Sequence, residues 1–376
     1  MADIEGTWDP QFGAVVDALS ASLDAGTDVG ASVAVLLDGE PVVDVWGGFV
    51  DEEHSAPWAE DTLTNVWSTT KTMTFLCALM LADRGELDFY APVSEYWPEF
   101  GAAGKEQVQV RHLMGHTAGL PGWDQRLRSE DLADWEKCTS LLAAQEPWWE
   151  PGTASGYHAV TQGYLIGEVV RRITGDTIGT WFAREVAGPL GADFHIGLPE
   201  SEDHRVSVVI PPPPVDLSEL KPSPIAVRAM SNPPLDATDP GHAWWRRAEI
   251  PAANGHGNAM SVALVQSVVA GSGEARGVRL LSEKGCEPIF DEQAHGTDLV
   301  LGLTNRFGMG YGLKHELMPI GPRACYWGGY GGSLIVMDLQ ARLTVCYVMN
   351  RMDSGLQGDF RGATIMLAAA AALAEG

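Results

Sequence analysis

Asn65-Val66-Trp67-Ser68-Thr69-Thr70-Lys71-Thr72-Met73 sets a hydroxyl and an amine three residues apart at the head of an apolar run, Phe75, Leu76, Cys77, Leu79, Met80 and Leu81. The run predicts a buried helix. Positions i and i+3 share a helix face, so the Ser68 hydroxyl and the Lys71 amine can touch. A serine at a helix N-terminus also has free backbone N–H groups beside it, able to stabilise an oxyanion. An amine held in an apolar wall is pushed toward its neutral form and can accept a proton. The same spacing recurs at Ser218 and Lys221, but four prolines at 211–214 precede it and Pro222 and Pro224 follow. No apolar helix begins there, and the second pair reads as a surface loop.

Outward from this stretch, 376 residues give room for one large domain or two closely packed ones. With 45% hydrophobic and 20% charged residues the chain is an ordinary globular one with ample core. A net charge of −26 argues against nucleic acid or an anionic membrane as partner. A solvated acidic surface accounts for that charge by itself. No basic-then-apolar segment opens the sequence and no apolar run reaches membrane-spanning length, so the expectation is a cytoplasmic protein. Five scattered cysteines, 77, 138, 286, 325 and 346, form neither a disulfide framework nor a zinc pattern.

Along the chain, Phe12, Val15, Val16, Leu19 and Leu23 recur at helical spacing within 11–25. Strand-like runs 31–37 and 41–46 flank Asp38-Gly39, a tight hairpin signal. Helices are expected at 110–114, 161–173, 177–186, 258–270, 281–290 and 360–374. Strand-like runs at 307–313, 323–327, 332–338 and 343–350 alternate with Gly or Asp turns, as in an antiparallel meander. Early and late strands around a helical middle predict an α+β fold whose antiparallel sheet is built from both termini. Residues 1–85 with 255–376 form that part, and 86–254 form a mostly helical one. Residues 200–257, rich in Pro and carrying Trp244-Trp245, are either a lid, a substrate-binding wall or a plain surface excursion.

No Gly-x-Ser-x-Gly is present, so a serine esterase of the commoner kind is excluded. His112 and His116 have the spacing of a metalloprotease pair but lack the intervening Glu, and Gly115 breaks the helix; no metal site is expected. These histidines and His256 are weak candidates for a general base. Tyr157, in a turn-rich approach to the 161–173 helix, either delivers a proton or packs the loop. In Tyr326-Trp327-Gly328-Gly329-Tyr330-Gly331-Gly332-Ser333 the glycines admit a ligand, a neighbouring backbone or a bend.

Taken in order, the three stretches resemble the serine β-lactamase/penicillin-binding-protein superfamily, and within it the class C-like family VIII carboxylesterases. Residues 110–120, Trp149-Glu150-Pro151-Gly152 and 254–259 match the same style, and the likeness runs from about residue 10 to 370. The resemblance implies a β-lactamase/transpeptidase-like fold and no cofactor. It implies Ser68 as nucleophile and a Lys71/Tyr157 proton relay, with Tyr157 the immediate base toward Ser68 and later toward water. The oxyanion would lie between the N–H groups of Ser68 and Tyr330. Two departures narrow the chemistry. Trp327-Gly328-Gly329 stands where lactamases and peptidases carry Lys-Thr-Gly, so no cation there meets a substrate carboxylate or acidifies the tyrosine. Ala159 replaces the Asn of Tyr-x-Asn. The expectation is hydrolysis of small, uncharged, short-acyl esters, with Trp327, Gly328 and Gly329 at the substrate. Acyl transfer, amide or β-lactam hydrolysis, and a silent binding protein are the rivals.

Overall fold

The structure is a computed structural model that describes residues 2–214, 222–316, 318 and 320–375. The second Ser-x-x-Lys pair, Ser218 and Lys221, lies outside the described residues.

Nine strands among the described residues form one antiparallel sheet. They are β1 (Ile4–Trp8), β2 (Gly30–Leu37), β3 (Glu40–Gly48), β4 (Ala294–Thr297), β5 (Thr304–Phe307), β6 (Gly312–Leu313), β7 (Ala324–Gly328), β8 (Leu334–Asp338) and β9 (Leu343–Met349). Their spatial order is β1-β3-β2-β9-β8-β7-β6-β5-β4, so β2 and β9 join the two ends of the chain, with Val345 opposite Val35. Asp38 and Gly39, at φ +53° and +79°, turn β2 into β3 with the left-handed pair that matches strand twist.

Side-chain parity fixes which helix covers which face. Ser32 Oγ accepts from the Ala259 N–H, so even positions of β2 meet the Ala259–Ala270 helix. Tyr347, paired with Val33, meets Arg361 of the Phe360–Glu375 helix, so odd positions face the opposite way. The Gly13–Asp24 helix packs beside the C-terminal one. Covered on both faces, β2 and β9 are buried along nearly their whole length, which explains their unbroken apolar runs.

Between Asn65 and His256 the described residues form helices and loops with only isolated bridges. A short pairing of Thr64–Asn65 with His256–Gly257 ties the entry to Ser68 to the far end of that region. Three features differ from the expected elements. β1 and β4 carry no apolar pattern, because both are edge strands with largely exposed side chains. The run at 307–313 is two strands, β5 and β6, parted where Gly308 and Gly310 turn the chain. The segment 281–290 is a short helix, Glu283–Cys286, and a 3-10 turn, Glu287–Phe290, with Pro288 at the junction.

Candidate active site

Ser68 sits in a 3-10 turn, Trp67–Thr70, that runs directly into the Lys71–Asp83 helix. The turn is entered through Trp67 at φ +48°, a conformation costing a bulky residue about 1–3 kcal/mol. Its surroundings hold it there. The Trp67 ring packs on Trp245 at 5.4 Å and Tyr330 at 5.5 Å. Trp245 Nε1 donates to Asn65 Oδ1, and Asn65 Nδ2 donates to the Ala253 carbonyl. Thr70 Oγ1 donates to the Trp67 carbonyl and accepts from the Gly255 N–H. The conformation turns Ser68 toward a cavity while the following helix stays buried.

Lys71 Nζ lies 3.1 Å from Ser68 Oγ, 2.7 Å from the Ala159 carbonyl and 2.9 Å from the Ala252 carbonyl. The Tyr157 hydroxyl is 2.8 Å from the same Ser68 Oγ. The three predicted groups therefore meet at one oxygen. Lys71 is 1% exposed, and burial lowers its pKa well below the usual lysine value. A neutral amine has two hydrogens and one lone pair. Here the two carbonyls take the hydrogens, which leaves the lone pair toward Ser68. Burial pushes the Tyr157 phenol the other way, upward, although its bond to Ser68 and the Trp327 indole oppose the rise. The Tyr157 hydroxyl donates to Ser68 Oγ.

The Tyr157 loop is fixed from behind. The His158 N–H donates to His116 Nδ1, and the Leu120 N–H donates to His158 Nε2. His158 Nδ1 lies 2.6 Å from the Gly156 carbonyl, which makes it the protonated nitrogen. His112 Nδ1 accepts from the Gln109 N–H, and His256 Nδ1 is bonded to the Asn254 carbonyl. None of these rings reaches Ser68, and each is engaged in holding backbone.

Trp327, Gly328 and Gly329 lie elsewhere than expected. Trp327 is 1% exposed and packs among Phe75, His116 and Phe307 behind Tyr157, so it forms no substrate wall. Its Nε1–H is near enough to counter the rise of the Tyr157 pKa, yet makes no hydrogen bond within normal limits. A Cβ on Gly328 would stand 2.2 Å from the Gln357 carbonyl carbon, and one on Gly329 2.4 Å from the Val66 carbonyl oxygen. Close backbone, not ligand, occupies the space these glycines leave. Their absence of side chain lets the end of β7 press against the Ser68 turn and carries Tyr330 to the cavity edge. The Ser68 N–H, in the first turn, and the Tyr330 N–H donate to no acceptor among the described residues.

The cavity above Ser68 has a volume of ≈ 950 Å³, its open mouth included. Trp67, Trp123, Tyr157 and Tyr330 supply aromatic walls, and Val160, Met230 and Leu235 aliphatic ones. Asp236 is the one charged side chain among the described residues lining it. Residues 229–236 come from the irregular segment, which thus forms a wall of the cavity.

A family model described as Beta-lactamase matches residues 16–370. The chain belongs to the Beta-lactamase family. Esterase/beta-lactamase LipL of Mycobacterium tuberculosis (strain ATCC 25618 / H37Rv) is 36% identical over 375 residues, covering 93% of this chain and 84% of LipL. The crystal structure of a family VIII carboxylesterase superposes with a TM-score of 0.94 at 44% identity, covering 98% of this chain and 100% of that one. A novel penicillin-binding protein homolog from Caulobacter crescentus superposes with a TM-score of 0.93 at 36% identity, with the same coverage. The resemblance read from the sequence holds, as does the β-lactamase/transpeptidase-like fold.

Within that family frame, sequence reasoning passed over Asp298, Trp67 and the Ala159 and Ala252 carbonyls. A carboxylate after Gly296-Thr297 looks like any exposed turn residue. Backbone carbonyls carry no residue signal at all. Only Trp67, a tryptophan next to a candidate nucleophile, offered a hint.

Proposed function

We propose that this protein is a serine carboxylesterase for uncharged esters, working through an acyl-enzyme on Ser68. One observation supports this above the rest. The Ser68 hydroxyl stands at an apolar cavity between a buried amine and a buried phenol, each in bonding reach.

In the first step the Ser68 proton passes to the Lys71 amine as Oγ bonds to the ester carbonyl carbon. The carbonyl oxygen gains the negative charge and lies between the Ser68 and Tyr330 N–H groups, each such donor being worth about 3 kcal/mol in the transition state. The C–O bond to the alcohol then breaks, with the Tyr157 hydroxyl protonating the leaving oxygen and the Lys71 ammonium restoring the phenol. Water repeats the sequence in reverse roles to release the acid. The walls are largely apolar and, among the described residues, give no cationic partner to a substrate carboxylate, which favours small, uncharged esters.

The names of the relatives, a family VIII carboxylesterase and an esterase/beta-lactamase, support the same class. Ser68→Ala is expected to abolish turnover of p-nitrophenyl butyrate above the uncatalysed rate. A fluorophosphonate should label one peptide, that carrying Ser68. Retained turnover in the alanine variant, or label elsewhere, refutes the assignment.

A further inference from the structure

We infer that Asp298 is a positioning residue for ester hydrolysis: its buried carboxylate fixes the Tyr157 main chain so that the phenol meets Ser68. The inference rests on the proposed role of Tyr157 and adds a group that touches neither substrate nor the reacting atoms.

Asp298 is 0% exposed and has no ion pair with any described residue. Four donors satisfy it instead. Oδ1 accepts from the N–H groups of Tyr157, Val300 and Leu301, each at 2.9 Å, and Oδ2 accepts from Ser155 Oγ at 2.6 Å. Two of these donors belong to the Tyr157 loop and two to the turn after Asp298. The Leu299 N–H adds a bond to the Ser155 carbonyl, at 2.8 Å. One carboxylate therefore rivets two segments some 140 residues apart, 155–157 and 298–301. The Tyr157 N–H is one bond from the Cα that carries the phenol, whose oxygen is 2.8 Å from Ser68 Oγ. A shift of the loop moves that oxygen directly. A displacement of about 1 Å can cost roughly 10²-fold in rate.

Other groups around the phenol do not replace this tie. His116 takes the N–H groups of the residues on either side, Gly156 and His158, and Lys71 Nζ donates to the Ala159 carbonyl, while the Tyr157 N–H itself is held by Asp298. Trp327 meets the phenol ring.

The test is a double-mutant cycle on the full chain with p-nitrophenyl butyrate, combining Asp298→Ala with Tyr157→Phe. Asp298→Ala in the otherwise native protein is expected to lower kcat about 10²-fold with KM within threefold. In the Tyr157→Phe background the same change is expected to cost less than threefold, because there is no phenol left to place. Asp298→Asn keeps an oxygen for the three N–H donors and turns its amide toward Ser155 Oγ, and it should restore kcat to within about fivefold of native. Equal losses in both backgrounds, or an asparagine variant as poor as the alanine one, overturn the inference. Should Tyr157→Phe alone cost nothing, the role of Tyr157 falls first, a distinct result. If Asp298→Ala does not fold by its thermal melt, Asp298→Ser, too short to bridge both segments, carries the same cycle.

Discussion

The proposed mechanism uses Lys71 as its base, and no carboxylate among the described residues pairs with it. Burial alone lowers its pKa, and the two carbonyls that hold it leave one face open toward Ser68. The sign of the pH dependence follows. A base must be unprotonated, so kcat/KM is expected to be lost as pH falls through the depressed Lys71 value and to be retained above it. Tyr157 must keep its proton until the leaving group takes it, and its pKa is raised, so no fall is expected on the alkaline side up to the ordinary phenol value of 10.0. A bell with an alkaline limb near neutrality contradicts this. Lys71→Met, apolar and of similar length, should keep the fold by melting temperature and lower kcat by about 10²–10⁴-fold. Trp327 acts on the same network from behind. Trp327→Phe keeps the packing against Phe75 and His116 but removes the N–H near the phenol oxygen. It should lower kcat several-fold with KM unchanged; a rise in KM alone would mean that Trp327 meets substrate after all.

At the scale of elements, the site is the meeting of a strained turn and the glycine end of β7. Gly329 is where they touch, with the Val66 carbonyl and Ser333 Oγ where a Cβ would go. Gly329→Ala should push β7 from the Ser68 turn and move the Tyr330 N–H off the oxyanion. The expected loss is about 10²-fold in kcat, larger than any loss in melting temperature explains, as read from kcat corrected for folded fraction. This junction also marks what the sequence could tell. The Ser68/Lys71 spacing, the helix at Val110–Met114 and the central strands were legible because helical and strand periodicity are local properties. So was the convergence on Tyr157, through the ordered motifs. Edge strands β1 and β4 were not, since solvent on both sides leaves no apolar pattern to read. Neither was the placement of Trp327-Gly328-Gly329. Glycine in a strand says that something comes close, and only the fold shows that it is the Val66 and Gln357 backbone. Asp298 was hidden for a related reason: burial of a turn carboxylate depends on a loop far away in sequence.

Over the whole molecule, the sheet closes only when the last strands reach the first, and one side chain bolts that closure near the site. Arg361, 4% exposed, donates to Asp28 and Asp359 and to the carbonyls of Thr27, Arg351 and Gly331. Asp28 also accepts from Tyr347 of β9. The cluster thus links the loop before β2, β9, the C-terminal helix and the glycine after Tyr330. Removing the guanidinium leaves two buried carboxylates without their cation, and breaking such a cluster costs about 3–5 kcal/mol. Arg361→Met should therefore lower the urea midpoint markedly, with an unchanged slope because the same surface is exposed on unfolding. It should also lower kcat per fluorophosphonate-titrated site, since the Gly331 carbonyl loses the donor that fixes it beside Tyr330. A variant with a lower midpoint but native kcat per titrated site would show that the closure of the sheet and the oxyanion site are mechanically separate.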